Sequence, residues 1–118
     1  NAPGEILSII ALQNKEKIIK RNLQIISNNL QLLDLFFKRR KELFEWKPPV
    51  AGTISFTKLK VDIPVSRFCK DLVEQQKTML LPATVYGFEG NYFRIGFARK
   101  NLNDGIGQLE KFLASNKL

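Results

Sequence analysis

The sequence predicts an α+β fold: a small sheet of three to four mainly antiparallel strands with helices packed on one face, preceded by a long N-terminal helix. Three observations carry this expectation. From about Lys15 to Phe44, apolar residues recur in steps of three and four, the period of a helix face. Beyond Pro48 and Pro49 the period falls to two, in "GTISFTKLK" and again in "NYFRIGFAR". The chain has 118 residues, 44% hydrophobic and 25% charged, enough for one domain with a buried core.

The elements follow in order. "NAPGEILSIIAL" places Pro3 at the first turn of a helix and crowds Ile6, Leu7, Ile9, Ile10 and Leu12 together, too many apolar residues for one solvated helix. The spacing of Ile19, Leu23, Ile26, Leu30, Leu33 and Phe37 then predicts a long amphipathic helix. Pro48 and Pro49 end it by about Trp46. In "GTISFTKLK", Ile54 and Phe56 alternate with Thr53, Ser55 and Thr57, the pattern of a strand. "DIPVSRFCKDLVEQQ" opens a helix at Pro64 with Val65, Phe68, Cys69, Leu72 and Val73 on one face. "TMLLPATVYG" reads as one or two short strands broken at Pro82, followed by a turn through Gly87 and Gly90 into the strand "NYFRIGFAR". A last helix near Leu102 to Ala114, capped by Asn101 or Asn103, presents Leu102, Ile106, Leu109, Phe112 and Leu113 to the core.

Composition removes several function classes. There is no histidine, so serine–histidine and cysteine–histidine nucleophile pairs and histidine metal sites cannot be assembled from this chain. Cys69 is the only cysteine, which rules out an internal disulfide and points to a reducing compartment, with the cytoplasm expected. No run approaches the ~20 apolar residues of a membrane crossing. The start lacks the basic region of a signal peptide, and there is no initiator methionine, as in part of a longer product. No phosphate-binding glycine loop is present. Asp71 and Glu74 read as a solvated helix face, and Cys69 as a core residue.

The net charge of +8 raises a second possibility, a basic α+β nucleic-acid-binding module. Its densest run, Lys38 to Lys41, falls late in a helix, where cations complement the macrodipole. The strand "NYFRIGFAR" superficially resembles the aromatic strand of RNA-recognition domains. There, however, the aromatics stack on an open face, whereas the period of two puts Phe93, Ile95 and Phe97 together on a core face, leaving Tyr92 alone beside Arg94. Specific nucleic-acid binding is not expected.

Arg94 is the side chain that alternation singles out. It shares its face with Gly96 and Ala98, which leave room along the strand, and its planar guanidinium offers parallel donors that match a carboxylate. As a surface arginine it would instead be paired to a neighbouring acid.

Taken together, these segments resemble the C-terminal small domain of the class I and II aminotransferases that depend on pyridoxal phosphate, the fold-type-I enzymes. "NAPGEILSIIAL" and "KIIKRNLQIISNNLQLLDLFF" resemble the helices leaving the large domain, and "FEWKPPVAGTISFTKL" resembles the approach to the first small-domain strand. "FCKDLVEQQKTMLLPATVYG" is similar to the helix and Pro-Gly turn, with Ala83 where many relatives have glycine, and "NYFRIGFARKNLNDGIGQLEKFL" to the closing strand and helix. The resemblance implies that residues 1–118 form one small domain, with 1–14 directed toward an N-terminal large domain outside this chain. It implies that Arg94 binds the α-carboxylate of the amino acid and of the 2-oxo acid. It implies that the lysine, acidic partner and phosphate cup for pyridoxal phosphate belong to the large domain, so this chain alone is expected to be inactive. The full-length enzyme would be a homodimer transferring an amino group by ping-pong chemistry. A lyase or acyltransferase of the same fold could share the domain.

Overall fold

A computed structural model describes residues 1–118, with four helices and a four-stranded antiparallel sheet. The N-terminal part is α1 (Ala2–Gln13) and α2 (Lys15–Arg39). Asn1 caps α1 by accepting from the Gly4 N–H at 3.4 Å. Asn14 departs from helical geometry (φ −108°, ψ 16°), yet Ile18 N–H donates to its carbonyl, so the two helices follow one another with a single break. No residue of α1 is buried. In α2 the buried positions, Asn29, Leu33, Phe36 and Phe37, all lie in the second half.

The long helix stops at Arg39, short of the expected end near Phe44 to Trp46. Leu43 and Phe44 N–H both donate to the Arg40 carbonyl, at 2.9 and 3.0 Å, and the chain turns into β1 (Phe44–Glu45), a strand the sequence pattern did not reveal. Packing decides this turn. It brings the Phe44 ring within 5.4–6.3 Å of Phe36, Phe37, Phe68 and Phe93, whereas a continuing helix would carry it onward at 5.4 Å per turn. Trp46 then stacks on Phe37 at 4.5 Å and donates its indole N–H to Asp34 at 2.5 Å.

The sheet runs in the order β1, β2 (Ile54–Leu59), β4 (Tyr92–Gly96), β3 (Leu81–Pro82), every neighbouring pair antiparallel. Pro82, which lacks an amide donor, sits on an edge strand. The helices α2, α3 (Val65–Gln76) and α4 (Leu102–Ser115) cover one face, with Phe68, Phe93, Phe97, Leu72 and Leu113 almost wholly buried between layers. The expected apolar faces of α3 and α4 are largely inside; Val73 is instead exposed and Leu102 half-buried.

Two asparagines tie the layers together. Asn29, buried in the middle of α2, donates through Nδ2 to the carbonyls of Phe97 (2.8 Å) and Arg99 (2.7 Å), fixing the exit from β4. Asn91 accepts from the Val65 N–H at 2.7 Å, satisfying one of the free donors at the start of α3, and donates to the carbonyls of Leu59, Val61 and Ile63. Both lie at positions where neither period nor turn chemistry marks a hub. No helix is long and apolar enough to cross a membrane.

Candidate functional site

The face of the sheet away from the helices holds Arg94, the candidate binding residue. Residues directly opposite in an antiparallel ladder share a face. Phe56 pairs with Arg94, Ile54 with Gly96 and Lys58 with Tyr92 across β2 and β4, and Leu81 of β3 flanks Arg94 on the other side. Ser55 and Thr57, paired with Ile95 and Phe93, therefore point into the core, and Ile54 and Phe56 point outward at 44% and 41% exposure.

Around Arg94 the outer face is aromatic. Phe56 meets Tyr86 at 5.9 Å, Phe88 at 6.2 Å and Tyr92 at 6.4 Å between ring centroids, and Phe88 meets Tyr92 edge-on at 5.5 Å. This corrects the expectation that Tyr92 alone accompanies Arg94 outside the core. Gly90 allows the cluster to close, since a Cβ there would lie 2.7 Å from the Phe88 ring and 3.0 Å from that of Tyr92. Tyr86 ends a 3₁₀ turn (Ala83–Tyr86), after which Gly87 takes a left-handed conformation at φ 67°. Ala83 is fully buried and its φ is not positive, so alanine fits this turn without backbone strain.

The Arg94 side chain makes one hydrogen bond, from Nη1 to the Tyr86 hydroxyl at 3.1 Å. No carboxylate lies within ion-pair distance of it, and the edge formed by Nε and Nη2 has no partner in the chain. The paired surface arginine considered from the sequence is thus not what the structure holds. A Cβ at Gly96 would meet only the Thr53 carbonyl, at 3.9 Å, an ordinary van der Waals contact. Arg94 also borders a groove of about 670 Å³ between the Gln76–Leu81 connection and the first turns of α4, with Arg99 and Asp104 on its rim.

The other candidates are accounted for by local pairing. Asp71 faces Arg67 at 3.6 Å and Glu74 faces Lys70 at 3.8 Å, both one helical turn apart on the solvated side of α3. Arg40, within the basic run, is hydrogen-bonded to Glu110 of α4, and Arg39 lies 3.6 Å from the same carboxylate. Burial pushes the Cys69 thiol up to about 12, which keeps it protonated and unreactive at neutral pH. No group of histidine, cysteine, aspartate or glutamate side chains is placed to hold a metal ion.

The residues present do not fit a pyridoxal phosphate anchor. Every lysine is exposed except Lys58, which is half-buried and lies 3.9 Å from Glu45. None of them has the buried, apolar surroundings in which a Schiff-base lysine is activated.

No family model and no curated protein matches the chain. Solved structures do. It is similar to a PLP-dependent aminotransferase from Streptococcus suis, with 29% identity and a TM-score of 0.84, covering 93% of this chain and 29% of that one. It is similar to the PLP-dependent cyclase OrfR, with 26% identity and a TM-score of 0.79 over 90% of this chain and 30% of that one. A protein of Methanococcus jannaschii, described as similar in its active site to kynurenine aminotransferases, shares the fold at 22% identity and a TM-score of 0.73, over 87% of this chain and 29% of that one. The chain thus has the fold of a segment of PLP-dependent aminotransferases and spans less than a third of the length of the structures it matches.

Proposed function

We propose that this chain is the C-terminal small domain of a pyridoxal-phosphate-dependent aminotransferase, and that Arg94 receives the α-carboxylate of the amino acid and of the 2-oxo acid. The observation that carries the reading is the free Nε–Nη2 edge of Arg94 on an open sheet face. A guanidinium without an internal counter-charge is ready to form two parallel hydrogen bonds to a planar carboxylate. The surrounding aromatics would lower the local polarity once the face is covered, which strengthens that pairing.

The domain assignment draws support from α1. Ile6, Leu7, Ile9, Ile10 and Leu12 are each about half exposed or more, and Ile18, Ile19 and Leu23 extend the apolar surface into α2. In this reading a large domain outside the chain covers them and supplies the lysine and phosphate cup. The protein would act in the cytoplasm as a homodimer.

A nucleic-acid role gains one point from the structure, the exposed aromatic face. The charge on that face argues the other way. Its cations are Arg94 and Lys58, with Lys58 near Glu45, while the basic run at 38–41 lies at the end of α2.

The test uses the intact enzyme carrying this chain. Arg94→Ala should lower kcat/KM for both the amino acid and the oxo acid by the equivalent of about 2–5 kcal/mol, the cost of breaking a desolvated charge pair. A decarboxylated amine should be little affected. Equal losses for amine and amino acid, or no loss in a folded variant, would make Arg94 a structural residue.

A further inference from the structure

Resting on the carboxylate reading of Arg94, we propose that Tyr86 is the positioning residue of its guanidinium. An arginine side chain has several rotatable bonds, and an unheld one loses much rotamer freedom when it grips a ligand. Tyr86 Oη accepts from Nη1 at 3.1 Å and is the single group of the chain that holds this head in place. A carboxylate in the same place would also hold it, but would cancel the charge and compete with an anionic ligand. A neutral phenol holds the guanidinium and leaves its charge uncompensated.

The phenol is itself held. Its turn closes through Gly87 N–H to the Thr84 carbonyl at 3.1 Å and Phe88 N–H to the Ala83 carbonyl at 3.3 Å. Ala83 is buried without measurable exposure, so the turn is anchored in the core at one end, and the Tyr86 ring leans on Phe56 at the other. Phe56 is in turn the cross-strand partner of Arg94. Support therefore runs from the core through the turn to the hydroxyl and returns through the sheet to the arginine, whose Nε–Nη2 edge is left without a partner in the chain.

Tyr86→Phe removes the hydroxyl and keeps the ring. In the intact enzyme, KM for both the amino acid and the oxo acid should rise roughly tenfold, the size expected for one hydrogen bond to a charged group. The change should fall on KM more than on kcat, and KM for the decarboxylated amine should not move. In an Arg94→Ala background the same substitution should have no further effect. An unchanged KM for the acids, an equal rise for the amine, or a full effect that persists without Arg94 would each overturn the assignment. Arg94→Ala alone separates the role of Tyr86 from that of the guanidinium. If it is costly while Tyr86→Phe is silent, only the role of Tyr86 fails; if it is silent, the carboxylate reading fails first.

Discussion

Phe56 stands directly across from Arg94 in the β2–β4 ladder, and the two side chains leave the sheet on the same side. This pairing places an arginine without an acidic partner beside a ring rather than beside a charge. Around them, Tyr86, Phe88 and Tyr92 complete an apolar surround in which the one polar contact to the guanidinium is a phenol.

The pairing supplies a direct test of competition at the site. Phe56→Glu puts a carboxylate opposite Arg94, where oppositely charged cross-strand pairs are favourable by about 0.2–1 kcal/mol. Because Phe56 is 41% exposed, the fold should persist. On the proposed reading, the internal carboxylate should then occupy the guanidinium in the intact enzyme, raising KM for amino and oxo acids while sparing the decarboxylated amine. Unchanged KM for the acids would show that ligand does not approach this face.

Cys69 provides a test of the core. Its side chain is 3% exposed, and burial lifts its pKa from the ordinary value near 9 to about 12. A thiol reagent at pH 8 should label it only as fast as the chain unfolds. The raised pKa also fixes the sign of a pH effect. Below about pH 9 both states hold the proton and the contribution is fully present. Between about 9 and 12 the unfolded chain releases it while the folded chain does not, so stability falls as pH rises, by about 1.4 kcal/mol per pH unit from this group. Urea melts of the protein and of Cys69→Ala across that range should differ in slope, and parallel curves would place the thiol in a more polar setting than the structure gives it.

Much of the fold is legible in the sequence because period and turn residues are local signals. The apolar spacing of α2, α3 and α4 and the alternation in β4 need no knowledge of partners. What eludes local reading is which face of β2 points inward. Its apolar residues Ile54 and Phe56 look out, and its polar residues Ser55 and Thr57 are buried, because pairing with Phe93 and Ile95 decides the facing. Thr57 bears the consequence: its hydroxyl is fully buried without a hydrogen-bond partner. The end of α2 was hidden for a similar reason, since Phe44 is drawn back by rings far away in the chain. Arg94 was legible as a candidate, but Tyr86 was not. It precedes Arg94 by eight residues in an irregular turn, and no period connects the two.

The N-terminal helix gives the last prediction. None of the residues in α1 is buried, so they contribute nothing to the core built by α2, α3, α4 and the sheet. Removing residues 1–14 should leave the thermal midpoint of the chain essentially unchanged. It should, however, change its association. Ile6, Leu7, Ile9, Ile10 and Leu12 expose 49–69% of their surface on one short helix. Apolar surface of this kind gains about 25 cal/mol per Å² when covered, so copies of the whole chain should self-associate in the absence of a covering domain. Sedimentation velocity over a concentration series should show that association for residues 1–118 and a marked reduction for 15–118. On the proposed reading, in which a large domain covers these side chains, Ile6→Glu with Ile10→Glu in the intact enzyme should lower the unfolding midpoint. A large loss of midpoint in the truncated chain would mean that α1 supports the small domain itself, and an unaffected intact enzyme would mean that nothing covers this helix.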